Sequence, residues 1–374
     1  MQQTLQKNFK RLFIMLGDLL EFSTRNKTEL LRKLEQMREA SGKYKVKRHW
    51  IHYTPKSQDG KNIAAEDGSI NYVEFKSFVL YAAAGEAVGY IDKSLQIEKN
   101  FDIDFLKPYK YTSERLRFYM AILEKKAALR LLHKHKDKID LLLLDGSIIG
   151  DLIRPAAYAY HPTKEIRERI NNTYLDELKE QIGRIENTNL VYSKRFSSEI
   201  YEKFDKHALS AMVYLEYIEN FLTILELLKF GDKIVGISKT SRSNNYFHDS
   251  DIPDMAIFEK TCRVPGFSTP IKIELVDDRY KRVFPILEDV LRTLDISIFY
   301  ARFRPNTTTL RFEYIGREDK ERAKKILDIL ESNIVEGYPY LLRKAHREVK
   351  ITDLDMYEII KSLGVLEKTG REML

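Results

Sequence analysis

The chain has 374 residues, 43% of them hydrophobic and 11% aromatic, enough for one large domain or two ordinary ones with a real core. Its 63 Lys and Arg against 56 Asp and Glu give a net charge of +7 and a pI near 9.0, which admits a polyanionic partner without demanding one. A single cysteine, Cys262, excludes an internal disulfide and a cysteine-based zinc cluster, and no membrane span or signal peptide is read, so a cytoplasmic setting is expected.

Residues 4–40 carry apolar groups at helical spacing, among them Phe9, Leu12, Phe13, Leu16, Leu19 and Leu20, and predict an amphipathic helix or helix pair within an N-terminal segment, 1–50. The polar "TPKSQDGKN" then leads into a first strand from Ile63. In "NYVEFKSFVLYAAAGEAVGYI" we read two further strands that form an antiparallel meander with the first, with Gly85 and Gly89 as bends. Residues 112–136 predict a strong helix capped by Thr112 or Ser113. "IDLLLLDGS" is short and wholly apolar, as expected of a central parallel strand buried on both faces. Residues 164–230 read as mostly helical, within an insertion at about 160–230 of a main domain spanning 51–350. "KIVGIS" is another strand, and "ISIFYARFRPN" with "TTTLRFEYI" forms a two-stranded unit around Pro305 and Asn306. Helices over "REDKERAKKILDILES" and "TDLDMYEIIKSL" close the chain, the latter in a C-terminal segment, 351–374, and stopped by Gly364. The basic clusters "KRLF", "KVKRH" and "LRLLHKHKDK" read as solvated faces, and His133 and His135 as helix-terminus charges.

The tetrapeptide DGSI occurs twice, at Asp67–Ile70 and Asp145–Ile148, each time behind an apolar run. DGS is also a common turn sequence, so chance and turn chemistry are the plain alternatives. A crossover through the 112–136 helix would lay the second strand parallel to the first and bring Asp67 and Asp145 together at the carboxyl ends of both. Carboxylates that close repel unless a proton or a cation intervenes, and Mg²⁺ or Mn²⁺ suits an oxygen-rich site.

Glu124 adds a third acid. Its helical neighbours Met120, Ala121, Ala127 and Ala128 form the small apolar stripe of that helix, whereas Glu114, Arg117, Lys125 and Arg130 spread over its polar faces. An ionised glutamate on a packing stripe costs several kcal/mol unless it is neutralised. At the stripe's edge, however, it would simply reach water. Three acids from two strand ends and a crossover helix match the layout of ribonuclease H-like nucleases, a mixed α/β sheet flanked by helices, in which two ions clamp a phosphodiester.

The stretches "AAEDGS", "RLRFYMAILEKKAAL", "LLLLDGS", "GISKTSRS" and "GYPYLLRKAH" together resemble the NurA family of archaeal DNA-end-processing nucleases, in the family's order and over about residues 60–350. By that resemblance Asp67, Glu124 and Asp145 match the metal-binding acids, and Tyr338 and His346 the remaining active-site positions, with Lys239 at a basic strand end. The resemblance implies a manganese-dependent 5′-to-3′ exonuclease on single- and double-stranded DNA with single-strand endonuclease activity. It also implies a ring-like homodimer docked on a HerA hexameric ATPase in double-strand-break repair.

His346 is a candidate phosphate contact, metal ligand or proton donor. Lys239, Arg242 and Arg304 are candidate DNA-phosphate contacts. Asp151 and Asp254 stand outside the expected ligand set. No Gly-rich phosphate loop is present, so ATP hydrolysis would belong to a partner. Two other readings remain open: a phosphatase-type hydrolase using a DGS aspartate as nucleophile, and a silent DNA clamp or scaffold.

Overall fold

A single mixed sheet carries Asp67 and Asp145. In chain order its strands are Trp50–His52 (β1), Ile63–Glu74 (β2), Val79–Ile91 (β3), Ser94–Leu106 (β4), Leu141–Asp145 (β5), Ile234–Ser238 (β6), Gly266–Ser268 (β7), Ile271–Ile273 (β8), Ile296–Arg302 (β9) and Leu310–Ile315 (β10). They lie in the order β1-β7-β9-β10-β6-β5-β2-β3-β4, with β8 beside β9. β5 pairs parallel with both β2 and β6, as its continuous leucines predict; the other neighbours are antiparallel. The computed structural model describes residues 15–40, 44, 46–108, 112–153, 162–184, 189–275 and 291–365.

These residues fall into two units, Met1–His49 with Ser241–Cys262, and Trp50–Thr240 with Arg263–Leu374. The first unit thus takes in a segment that the sequence assigned to the main domain, and the closing helix belongs to the second unit. Within the first unit, Lys27–Ala40 (α1) follows a helical stretch over 15–25, so the expected helix pair is present. Leu16, Leu19 and Leu20 are exposed there; Phe9, Leu12 and Phe13 lie outside the described residues.

The meander departs from its sequence reading. "NYVE" continues β2, all of "VLYAAAGEAVGYI" is one strand, and the third strand is the next segment, β4. β4 alternates charged and apolar groups, and Leu95, Ile97, Phe101, Ile103 and Phe105 on one of its faces are exposed. Gly85 and Gly89 are therefore not bends but positions inside β3.

The helix Thr112–Lys134 (α2) links β4 to β5 and packs on β2, β3 and β4. After β5 come Ile148–Ile153 (α3), then the helical insertion Lys164–Ile182 (α4), Ser197–Phe204 (α5) and Ala208–Leu228 (α6), which share a core of their own. By length and composition Tyr192–Leu228 is apolar enough to cross a membrane, which the sequence reading did not register. Its most apolar stretch is 78% buried within the protein. Moreover, Glu216 and Glu219 on α6 form buried ion pairs with Arg115 and Lys126 of α2, at 2.6 and 2.7 Å. The apolarity is that of a core helix.

In the first unit Asp254–Thr261 is a short helix (α7). The buried Asp254 carboxylate accepts the backbone N–H groups of Asn245, Tyr246 and Phe247 at 2.5–3.1 Å, so this acid shapes a loop. On the face of the sheet opposite α2, Lys320–Glu331 (α8) and Tyr340–Val349 (α9) complete the main core with Leu141, Leu143, Val235, Phe299 and Phe312. Between them Ile334–Val335 (β11) and Tyr338–Pro339 (β12) form a tight hairpin. Its two turn residues, Glu336 and Gly337, have φ of 53° and 79°, the two positive values a two-residue hairpin favours. Asp353–Ser362 (α10) carries a capping box at Thr352 and Asp355 and buries Met356 against Phe75 and Leu80.

Candidate metal centre

β2 and β5 pair in register over Ile63–Glu66 and Leu141–Leu144, so the next residue of each strand is an aspartate. On β5 the strand ends there: Gly146 adopts φ 154° and Ser147 leads into α3. On β2 it does not. Asp67, Gly68, Ser69 and Ile70 remain extended and paired with β3 as far as Glu74. The two DGSI copies thus have different backbones, and only Asp145 stands at a strand end, which corrects the expectation of two matching strand mouths. Their serines differ too. Ser69 Oγ accepts the N–H of Ile351 at 2.9 Å, whereas Ser147 Oγ donates to the buried Glu313 at 2.7 Å.

Side chains alternate along a strand, so Asp67 and Asp145 share the face of Ala65 and Leu143, toward α9. There one carboxylate oxygen from each and a ring nitrogen of His346 all lie within 4.8 Å of one another. His346 Nδ1 is 2.7 Å from Asp67 Oδ2, and Asp67 Oδ1 accepts the N–H of Gly68 at 2.8 Å. Burial first, and then the charge of Asp145, push the Asp67 carboxyl above its ordinary range. Lys239, just past β6, donates to Asp145 Oδ2 at 2.9 Å and sits 5.0 Å above the ring of Tyr338. The Tyr338 phenol is pushed far up by burial and by the negative charges of Asp145 and Asp67. It is therefore a neutral hydroxyl at any ordinary pH.

Glu124 approaches from the other face. Its helix lies so close to β3 that a Cβ on Gly85 would fall on the backbone of Leu123 and Glu124, and one on Gly68 would fall on Glu124 Oε2. Gly68 and Gly85 are register partners, so together they open the slot in which the Glu124 carboxylate lies, beside Asp67. The side chain is 12% exposed and does not snorkel into water. Burial raises its pKa while Lys125 opposes the rise. Glu124 is not within the tight group of Asp67, Asp145 and His346.

Lys125 overturns its surface assignment. Its side chain is 3% exposed, and Nζ lies 2.8 Å from Glu124 Oε1 and 3.0 Å from Asp151 Oδ2. Helical periodicity cannot reveal a lysine buried by partners elsewhere in the chain. Glu66 on β2 and Glu313 on β10 are likewise buried and were not singled out in the sequence. Glu313 also accepts the N–H of Ile149 at 2.8 Å and pairs with Arg311 at 3.0 Å, and so holds the turn after Asp145. Of the proposed phosphate contacts, only Lys239 touches the aspartates. Arg304 is committed to Glu331 at 2.5 Å, and Arg242 belongs to the first unit, with an exposed side chain.

Two carboxylates and an imidazole facing one another fit a divalent cation such as Mn²⁺, which accepts oxygen and imidazole ligands and offsets the charge of Asp145 that, after burial, raises the Asp67 pKa. Residues 61–351 match the NurA domain model. The chain belongs to the NurA family. It is 28% identical over 377 residues to a probable DNA double-strand break repair nuclease NurA of Methanocaldococcus jannaschii, covering 95% of this chain and 92% of that protein. It is 26% identical to the DNA double-strand break repair nuclease NurA of Saccharolobus solfataricus, covering 86% of each. The fold matches a crystal structure of NurA with a TM-score of 0.73 at 18% identity, over 94% of this chain and 98% of that one. A crystal structure of NurA bound to dAMP and manganese matches with a TM-score of 0.70 at 17% identity, over 92% and 96%.

Proposed function

We propose that this NurA-family chain is a divalent-metal-dependent deoxyribonuclease that hydrolyses phosphodiesters at DNA ends during double-strand-break repair. The observation that carries the reading is the convergence of Asp67, Asp145 and His346 within 4.8 Å at the end of the parallel strand pair. Family membership supports the substrate, since the curated relatives are named as DNA repair nucleases. Mn²⁺, two ions of it, with Mg²⁺ as a substitute, is the cofactor expected from the donor set and the family resemblance; Asp67, Asp145 and His346 would hold it, with Glu124 alongside. Once bound, a divalent ion supplies an activated water and charge neutralisation at the phosphate.

The chain's own groups then have distinct tasks. Asp67 and Asp145 supply negative charge on one face of the sheet, and the hydrogen bond to Asp67 orients the His346 ring, which is 61% exposed and open to a phosphate. Tyr338, under Lys239 and beside the aspartates, brings a buried hydroxyl to the site. Lys239 balances Asp145 and lies where an incoming phosphate would meet a cation. Arg242 and Arg304 remain proposed DNA-phosphate contacts of lesser weight, Arg304 because Glu331 already neutralises it.

The finer reading follows the family resemblance: 5′-to-3′ exonuclease action on single- and double-stranded DNA, single-strand endonuclease activity, a homodimer, and a HerA hexameric ATPase as partner in the cytoplasm. End-labelled single- and double-stranded DNA incubated with Mn²⁺, Mg²⁺ or EDTA tests both levels. Products that need metal and vanish in Asp145→Asn support the nuclease, and the label's fate gives polarity. Full cleavage in excess EDTA overturns it.

A further inference from the structure

Lys125 is the least expected group near the site. It follows Glu124 on α2, yet its ammonium is buried, and it bridges Glu124 Oε1 and Asp151 Oδ2 at 2.8 and 3.0 Å. Asp151 lies on α3, directly beyond the Asp145 turn. Glu66, 2% exposed, is a further carboxylate whose charge bears on the same ammonium. A buried cation among acids compensates them; removing it would leave Glu124 and Asp151 without their shared partner.

The geometry has a directional consequence. Lys125 occupies one oxygen of Glu124, which leaves the other, Oε2, in the slot over Gly68. Asp151 anchors the far side of the ammonium, so the bridge also ties α2 to the segment that carries Asp145.

We propose that Lys125, anchored by Asp151, is a positioning residue: it fixes the Glu124 carboxylate over Gly68 and holds α2 in register with the Asp145 turn. The proposal rests on the reading of this centre as a metal-dependent nuclease. It differs in sign from a bystander role. A lysine that merely sits nearby repels a metal ion, so its removal tightens Mn²⁺ binding. A lysine that positions a ligand weakens binding when it is lost, despite the removed positive charge.

The test uses the full chain and the variants Lys125→Met, Asp151→Asn and the double variant. Mn²⁺ affinity is measured by titration calorimetry without DNA, folding by circular dichroism and thermal unfolding, and cleavage as kcat and KM. For Lys125→Met we expect Mn²⁺ affinity to fall at least fivefold and kcat at least tenfold, with KM for DNA within twofold. Asp151→Asn should move both in the same direction by less, and the double variant should be no worse than Lys125→Met. A folded Lys125→Met that binds Mn²⁺ as tightly as the parent, or more tightly, overturns the proposal. If that variant does not fold, Asp151→Asn decides alone, and unchanged affinity and kcat overturn it. A parent chain that binds Mn²⁺ but cuts no DNA refutes the nuclease reading, while the variants' affinities still judge the clamp. A parent chain that binds no Mn²⁺ overturns both.

Discussion

Gly68 and Gly85 face each other across β2 and β3, and the space their missing side chains leave is taken by Glu124. The two glycines meet different parts of it, and so their substitutions should separate. At Gly85 a methyl group would strike the backbone of Leu123 and Glu124, so the helix itself must move. Gly85→Ala should cost about 1–3 kcal/mol through overpacking. At Gly68 the obstacles are side-chain atoms, the Glu124 carboxylate and Met120 Cγ, and no backbone atom. Gly68→Ala should therefore retain most stability but displace the carboxylate and lower DNA cleavage at least tenfold. Urea unfolding and cleavage rates measured side by side check the contrast; equal stability losses would contradict it.

Asp67 and Asp145 repel each other without a cation between them. Mn²⁺ should therefore raise the thermal midpoint of the parent chain, by the equivalent of about 2.7 kcal/mol at a hundredfold excess over the dissociation constant. Asp145→Asn should lose most of that increase while remaining folded, and its DNA cleavage should be abolished. A differential scan with and without Mn²⁺ is sufficient. The same shift in both proteins would place the ion elsewhere.

The turn after Asp145 depends on Glu313. Glu313→Ala should cost about 3–5 kcal/mol, because it removes at once the buried carboxylate's hydrogen bonds from Ser147 and Ile149 and its ion pair with Arg311. Ser147→Ala removes one hydrogen bond to the same carboxylate and the one that Ser147 Oγ accepts from the N–H of Gly150, and should cost about 1–2 kcal/mol. Chemical denaturation of the two variants reads the difference, which a purely local role for the serine turn would not produce.

Away from the centre, Glu98 predicts a pH effect. Burial pushes its carboxyl up, but hydrogen bonds from Lys134 and Arg130 outweigh that and hold it below the ordinary value. A carboxylate with a lowered folded-state pKa stabilises the fold above its unfolded-state value and loses that contribution as pH falls through the folded-state value. Glu98→Gln should thus be less stable at pH 7, by about 0.5–1 kcal/mol for a partly exposed pair. The gap should narrow as the pH drops below the usual carboxylate range. Thermal unfolding from pH 3 to pH 7 would show it, and a gap independent of pH would assign the loss to packing.

The parts of this fold that were legible in the sequence are those governed by periodicity. The leucines of β5 showed its double burial, and the stripe around Glu124 put a glutamate among small apolar groups, although periodicity alone left open whether it faced the sheet or reached water. What periodicity could not show were groups whose burial is made tolerable by a distant partner. Lys125 looks like surface until Asp151 is beside it, and Glu313 until Ser147 and Arg311 are. The repeated tetrapeptide teaches the same lesson about backbone. With a long β3 to pair against, Asp67–Ile70 stays a strand; Asp145–Ile148, where β5 ends, turns. The sequence reading left β4 unassigned, although the alternation of its apolar and polar residues is a strand pattern in itself.

The ion pairs between α2 and α6 limit how this enzyme can be shortened. Residues 164–228 read like a detachable ornament on the sheet, one that a minimal design would replace with a short linker. Yet Arg115 and Lys126, both buried, have their carboxylate partners on α6, and Tyr119 also donates to Glu216. Excision would leave two cations stranded on the helix that delivers Glu124. The helical insertion is thus part of the scaffold behind the centre, and a trimmed variant would need α2 rewritten along with it.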